Sequence, residues 1–177
     1  MLLKEEEHVK KENAIFLIFM MALVPIALVG GQGNAKAKAA HGTLKVKLNY
    51  TGASVVDEKH QIYVLLADAN PYTSSTLIDA TSQPTPPAAQ PGVAHLFARQ
   101  GAGGKDKTVI FRELAVSPVF AVAFFDKNGT SNGQLESASA VPMGMYGAAP
   151  DKLEPIKIEP GKTVQIVLTF DDSKTTP

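Results

Sequence analysis

The chain has no cysteine among its 177 residues, and its formal net charge is zero. Without cysteine there can be no disulfide framework, no zinc–thiolate site and no thiol nucleophile. The 17 basic and 17 acidic side chains balance, so no long-range field would attract nucleic acid or an anionic membrane surface. We therefore expect no nucleic-acid partner. The chain is long enough to form one domain with a real core.

Sequence signatures of hydrolytic and phosphate-binding sites are also missing. There is no G-x-S-x-G nucleophile elbow. The glycine-rich stretch Gly101–Gly104 lacks the G-K-[S/T] ending and precedes a strand pattern rather than a helix, which favours a loop. No stretch after residue 39 has helical periodicity, and there are no internal repeats. These absences predict a protein that is not an enzyme and that carries no cofactor.

The N-terminal region has the order of segments that is typical of a secretory signal peptide. Lys10 and Lys11 precede an apolar run from Ala14 to Gly30, and small residues follow this run. Two A-x-A sites lie in residues 35–39, and the second of them predicts cleavage after Ala39.

An uncleaved membrane anchor is the alternative for this region. It is less favoured, because the apolar run is short for a spanning helix and Pro25 interrupts it. We predict a signal peptide over residues 1–39 and a single domain over residues 40–177. The protein would then be secreted or periplasmic, with membrane contact only through the signal peptide before cleavage.

Beyond residue 39 the hydrophobic pattern has a period of two. In residues 43–50, apolar side chains alternate with polar ones, which predicts a half-buried strand. The apolar side chains of this strand are Leu44, Val46, Leu48 and Tyr50. Further strand patterns lie at 61–68, 93–99, 107–114, 117–126 and 154–172, the last being two strands joined by a turn at 160–162. Because 117–126 is the most apolar, we expect it to be covered on both sides.

Several short strands separated by Gly/Pro turns predict an all-β protein that forms an antiparallel β-sandwich. Two long connections, residues 70–91 and 137–155, interrupt this pattern. Connections of this length are either functional or plain surface loops, and the sequence leaves both interpretations open.

Five segments carry a familiar pattern: GTLKVKLNYTG, HQIYVLLADAN, FRELAVSPVFAVAFFDKNG, PMGMYG and IKIEPGKTVQIVLTFDD. They resemble secreted bacterial domains of the prealbumin-like group, which are relatives of transthyretin and of the regulatory domain of carboxypeptidases. The resemblance covers most of Gly42–Asp172. It implies a seven-stranded, Ig-like sandwich that is used for binding, folding support or assembly. Where such domains carry a compact D-x-N-x-N-G-x-L-D turn, this chain has the longer DKNGTSNGQLE.

This turn contains oxygen donors at alternate positions, as a calcium loop does. Counting Asp126 as position 1, Asn128, Thr130 and Asn132 fall at positions 3, 5 and 7, and Glu136 follows near the end. These five residues are the candidate ligands of a weak calcium site.

A structural turn accounts for the same residues. The calcium template has glycine at position 6 and a bidentate carboxylate at position 12, where this chain has Ser131 and Ser137. The pairs Asn128-Gly129 and Asn132-Gly133 are turn formers, and Asp126 can accept backbone N–H bonds at the end of its strand. The sequence favours this structural interpretation.

A copper site is a further alternative. If cleavage fell after Ala40, His41 would become the N-terminal residue, and its amine and ring nitrogen could bind copper together. His60 or His95 would then supply a second imidazole. Cleavage at that position fits the A-x-A rule poorly, so ordinary histidines are favoured.

We predict an exported, non-catalytic β-sandwich with a binding or structural role in the cell envelope and an unknown protein or glycan partner. The aromatic residues Tyr72, Phe97 and Tyr146 are the candidate ligand contacts. One alternative is an extracellular assembly or filament subunit that forms homo-oligomers by edge-strand pairing. The other is a weak calcium- or copper-binding protein.

Overall fold

The structure, a computed structural model, describes residues 41–83, 87–134, 141–173 and 175. These residues form eight strands and one short 3-10 helix (150–152), and they contain no α-helix. The strands are β1 Gly42–Tyr50, β2 Ile62–Ala67, β3 Thr76–Asp79, β4 Val93–Ala102, β5 Thr108–Leu114, β6 Phe120–Phe125, β7 Met143–Met145 and β8 Thr163–Phe170. The predicted signal peptide lies outside the described residues. Within the described ranges, no helix is long and apolar enough to cross a membrane.

The strands form two sheets, which confirms the prediction of a two-sheet, all-β fold. The three-stranded sheet has the order β5-β1-β8, and the five-stranded sheet has the order β3-β4-β2-β6-β7. Two details differ from the predicted seven antiparallel strands. The strand β3 lies within the long 70–91 connection, and its four polar and apolar residues gave no distinct pattern. The pairs β1–β8 and β3–β4 are parallel, which sequence periodicity alone does not reveal.

The three-stranded sheet has one buried face and one solvent-facing face. Leu44, Val46 and Leu48 of β1 are fully buried, while the residues between them are half-buried or exposed. Val109 and Phe111 of β5 are buried in the same way. Residues 166, 168 and 170 of β8 repeat the pattern. These side chains form the core between the two sheets.

The central strands β2 and β6 of the five-stranded sheet are buried on both faces. In β6, Ala121, Ala123 and Phe125 face the inter-sheet core, whereas Val122 and Phe124 belong to a second apolar cluster. The second cluster includes residues of both long connections, among them Tyr72 and Leu153. The prediction that β6 is covered on both sides is confirmed, and the long connections supply part of that cover.

Of the hairpin predicted at 154–172, only the second strand forms, as β8. Ile156 is buried but exchanges backbone hydrogen bonds of 2.9 and 2.8 Å with Val119 instead of pairing with β8. The next apolar residue, Ile158, donates its N–H to the Ser117 hydroxyl (2.9 Å). Pro155 and Pro160 have no N–H to give to a ladder, which explains why residues 155–160 are not a strand. The strand predicted before the turn is therefore wrong, and β8 pairs with β1.

Candidate functional site

The turn after β6 is built around the Asp126 carboxylate, which is only 6% exposed. Its Oδ1 accepts the N–H groups of Gly129 (2.9 Å) and Thr130 (3.3 Å). Its Oδ2 accepts the N–H (3.0 Å) and the hydroxyl (2.7 Å) of Ser131. Burial acts to raise the pKa of Asp126, but these hydrogen bonds outweigh it, so that the pKa lies below its ordinary value. The carboxylate is thus engaged inside the turn that it closes.

The other candidate calcium ligands are exposed rather than gathered around Asp126. Asn128, Thr130 and Asn132 all have exposed side chains. The backbone φ angles are +66° at Gly129, +48° at Asn132 and +81° at Gly133, as turn-forming Asn-Gly pairs allow.

Glu136 lies outside the described residues, so the full calcium set is a prediction that the structure does not test. Among the residues that the structure describes, no three acidic or histidine side chains form a group that could hold a metal ion. The structural-turn interpretation accounts for the described part of the segment.

The three histidines of the predicted copper site, His41, His60 and His95, have separate environments. His41 precedes β1, and its carbonyl accepts the Gly161 N–H at 2.9 Å. The His60 ring bonds to Asp57 at 2.9 Å, and the His95 ring bonds to Asp68 at 2.7 Å. His95 is 2% exposed, and its N–H also donates to the Asp68 carboxylate. Within the described chain, each of the two imidazoles proposed as a second copper ligand therefore has its own carboxylate partner.

A polar cluster that the sequence did not predict surrounds Asp172, just beyond β8. Its carboxylate accepts the Tyr50 hydroxyl (2.6 Å) and the Ala53 N–H (3.0 Å), and it pairs with Lys127 (2.6 Å). The Lys127 and Tyr50 bonds hold the pKa of Asp172 well below its ordinary range. Burial and the Asp172 bond raise the pKa of Tyr50 to about 12. The cluster ties β1, β8 and the Asp126 turn together, and only the β1–β8 pairing could have revealed it.

The three aromatic candidates do not form one site. Tyr72 packs against the outer face of the five-stranded sheet, where its hydroxyl donates to the Met143 sulfur and burial raises its pKa to about 12. Phe97 packs against the inter-sheet core. Tyr146 lines an open concavity. All three rings make packing contacts, because Tyr146 also packs against the inter-sheet core, and Tyr146 in addition lines this concavity.

The concavity at Tyr146 lies where the two sheets meet, between the end of β7 and β8. We call it the seam groove, and it encloses about 590 Å³. Residues 145–150 line one part of it, and Val167, Thr169, Ser173 and Thr175 line the rest. No lining residue is charged. Val167 is an aliphatic side chain that is 49% exposed there.

The chain matches no protein-family model, and neither a curated protein nor a solved structure is significantly similar to it. The groove offers a ligand one tyrosine, several hydroxyl groups and an uncharged surface.

Proposed function

We propose that this chain is an exported, non-catalytic β-sandwich of the prealbumin-like type that binds a protein or glycan partner in the cell envelope or outside the cell. The seam groove carries the proposal. Ligand sites are concave and mainly apolar, with a few polar groups that orient the ligand, and their volumes lie between roughly 300 and 1,000 Å³. The groove has this size and this mixture of groups.

The strand arrangement supports the prealbumin-like assignment. Apart from the short β3, seven strands remain, three in one sheet and four in the other. The resembling segment FAVAFFDKNG forms β6 and the turn that Asp126 closes. The P-G-K segment precedes β8. The parallel β1–β8 pair is the point at which the arrangement departs from a purely antiparallel sandwich.

A binding rather than a catalytic role is supported by the state of the buried polar residues. In the described ranges these are His95, Asp126 and Ser131. Each is hydrogen bonded to a neighbouring protein group, His95 to Asp68 and Asp126 to Ser131. None of them lines the seam groove. Their hydrogen bonds organise loops and turns, as structural polar groups do.

The export component has its own test. The order of charged, apolar and small residues in 1–39 supports cleavage after Ala39. Intact-mass measurement and N-terminal sequencing of the natively produced protein should give a mature chain that begins at Ala40. A chain that retains residues 1–39 would contradict cleavage.

The binding component is tested with glycan and peptide arrays probed with the mature protein. We expect hits of one class, and we expect Tyr146→Ala to weaken them at least about tenfold, since aromatic side chains often dominate binding energy. Val55→Ala is the matched control, because Val55 is 71% exposed and lies outside the groove. Silent arrays, or binding that survives Tyr146→Ala unchanged, would contradict the proposal.

A further inference from the structure

The hydrogen bonds between β1 and β8 fix which backbone groups of β8 point away from the sheet. Thr43 donates its N–H to the Lys162 carbonyl (2.9 Å), and Thr51 donates to the Phe170 carbonyl (3.0 Å). The register between these bonds is unbroken over eight residue pairs. In a parallel pair, the N–H and C=O of one residue point to the same neighbouring strand. The even-numbered residues of β8 therefore bond to β1, and the odd-numbered residues face the opposite edge.

The odd-numbered residues leave a row of unpaired backbone groups at that edge. Gln165, Val167 and Thr169 each present one N–H and one C=O there. Within the described chain, β8 pairs with β1 alone, and no other backbone hydrogen bond reaches these three residues. The edge of β8 is therefore open to another strand.

The open edge of β8 lacks four features that commonly protect edge strands. Proteins shield edge strands with charged side chains, proline, bulges or very short length. Residues Thr163–Phe170 include no charged residue and no proline, and their register with β1 has no bulge. The unpaired N–H and C=O groups of such an edge can pair with a strand of another chain.

The other sheet edges in the described chain are better protected. On β5, the outward Ile110 carbonyl already accepts the Gln100 side-chain amide (3.1 Å). On the other sheet, β3 has only four residues and ends in Asp79, which lies 3.6 Å from Arg99. The fourth edge strand, β7, has only three residues. The edge of β8 is therefore the longest and least protected of the four.

This open edge lies at the seam groove, since Val167 and Thr169 line it. We propose that the seam groove binds an extended, uncharged polypeptide segment of another protein, which adds to β8 as a fourth, antiparallel strand of the three-stranded sheet. The inference rests on the proposed binding function and names its ligand class. Antiparallel pairing is the more stable geometry, and the uncharged lining would leave a charged side chain without a partner. Residues 145–150 form the wall against which alternate side chains of the segment would pack.

Hydrogen exchange of the free protein tests the open edge directly. The amides of Gln165, Val167 and Thr169 should exchange at least about tenfold faster than those of Val164, Ile166 and Leu168, because only the latter three are bonded to β1. Equal protection of the two sets would mean that the edge is covered in the free protein, and it would overturn the inference.

Binding is tested with a random nine-residue peptide library displayed on phage and selected on the mature protein. We expect uncharged peptides to be enriched and to slow exchange at Gln165, Val167 and Thr169. Val167→Lys should weaken binding at least about tenfold, because it places a charge at the edge. Val167→Thr, which keeps an uncharged β-branched side chain, should retain binding, and so should Thr108→Lys, which places the same charge on the edge strand β5.

A chemical variant of the peptide leaves the protein unchanged. Two versions of a selected peptide are made, one methylated at its odd-numbered backbone nitrogens and one at its even-numbered nitrogens. One version should lose binding and the other should keep it, since only alternate N–H groups of an added strand face β8. If the two methylation patterns weakened binding equally, the proposal of strand addition would be overturned.

The remaining outcomes separate this inference from the proposed function. A glycan hit that Tyr146→Ala removes, without slowed exchange at β8, would support the function and overturn the peptide ligand. A concentration-dependent dimer that Val167→Lys abolishes would make the occupant a second copy and also overturn it. Failure to enrich any peptide, with silent glycan arrays, would sink both.

Discussion

The two sheets use hydrophobic residues in different ways. In the three-stranded sheet, β1 and β8 alternate buried and solvent-facing residues, so one side of the sheet meets water. In the five-stranded sheet, all the residues of β6 after Phe120 are buried. The outer cover comes partly from the long connections, through Tyr72 and Leu153.

The difference shows that a long, irregular connection can belong to the core of a domain. The 70–91 and 137–155 connections each contain a short strand and a residue that packs on the outer face of the five-stranded sheet. They are therefore more than plain surface loops. The seam groove lies where the second connection meets the open edge of the simpler sheet.

Removing one large side chain from each face of β6 is the strongest test that the long connections cover the outer face of the five-stranded sheet. Phe124→Ala and Phe125→Ala should each lower the free energy of unfolding by about 3–5 kcal/mol, because both rings are almost fully buried. Chemical denaturation of the two variants measures the loss. The exposed Val55→Ala serves as control and should change stability by less than about 0.5 kcal/mol.

If Phe124→Ala lowered the free energy of unfolding by less than about 1 kcal/mol while Phe125→Ala caused the full loss, β6 would not be equally buried on both faces. The outer face would then be only loosely covered by the long connections.

Substitution of Asp126, in the turn at the end of β6, should cause the next largest loss of stability. Asp126→Ala removes the acceptor of four hydrogen bonds and should cost about 2–3 kcal/mol at neutral pH. Because the folded pKa lies below the unfolded value of about 3.9, the contribution is complete above that value and disappears as the pH falls through the folded pKa.

Thermal unfolding from pH 7 down to pH 2 checks this dependence. The difference in melting temperature between the wild type and Asp126→Ala should become smaller only in the acidic range. Asp151→Ala, at an exposed position in the 3-10 helix, should show almost no gap at any pH. A gap that stays constant down to pH 2 would argue against a stabilising carboxylate.

Two glycine substitutions test how tightly the two sheets pack where β7 meets β8. A Cβ on Gly144 in β7 would lie 2.5 Å from the Phe170 ring, so Gly144→Ala should cost about 1–3 kcal/mol through overpacking. Gly161→Ala meets no atom within 4 Å, and its φ of +69° should cost only about 1 kcal/mol. Denaturant titration that ranks Gly161→Ala as the more damaging change would show that the seam is not tightly packed.

Calcium should produce the smallest effect. With the Asp126 carboxylate engaged by protein donors, excess Ca²⁺ should change the melting temperature by less than about 1 °C, since a ligand stabilises only a state that it binds. Magnesium at the same concentration controls for ionic strength. A rise specific to calcium that Glu136→Gln removes would establish the metal site instead.

Much of the fold follows from local patterns. Alternation in residues 43–50 predicted which side of β1 is buried, and the apolar run at 117–126 predicted a strand covered on both sides. The sequence could not give β3 and β7, because strands of four and three residues leave too few positions to define a period. The parallel pairing of β1 with β8 joins residues about 120 positions apart, and no local signal encodes it.

The role of the three candidate aromatic residues in ligand binding stays a prediction. All three make packing contacts, and Tyr146 also lines the seam groove. An aromatic side chain in a connection carries the same signal whether it covers a sheet or faces a ligand. The Asp172 cluster was missed for a related reason, since an acidic pair after a strand usually remains in solvent.

The parallel contact between β1 and β8 has a mechanical consequence. Because both strands run in the same direction, the chain enters β1 at one end of the sandwich and leaves β8 at the other. A force that pulls on these two points would slide the strands past each other and load all their hydrogen bonds at once. The β1–β8 pair should therefore resist stretching along this axis more strongly than a pair whose hydrogen bonds break one at a time.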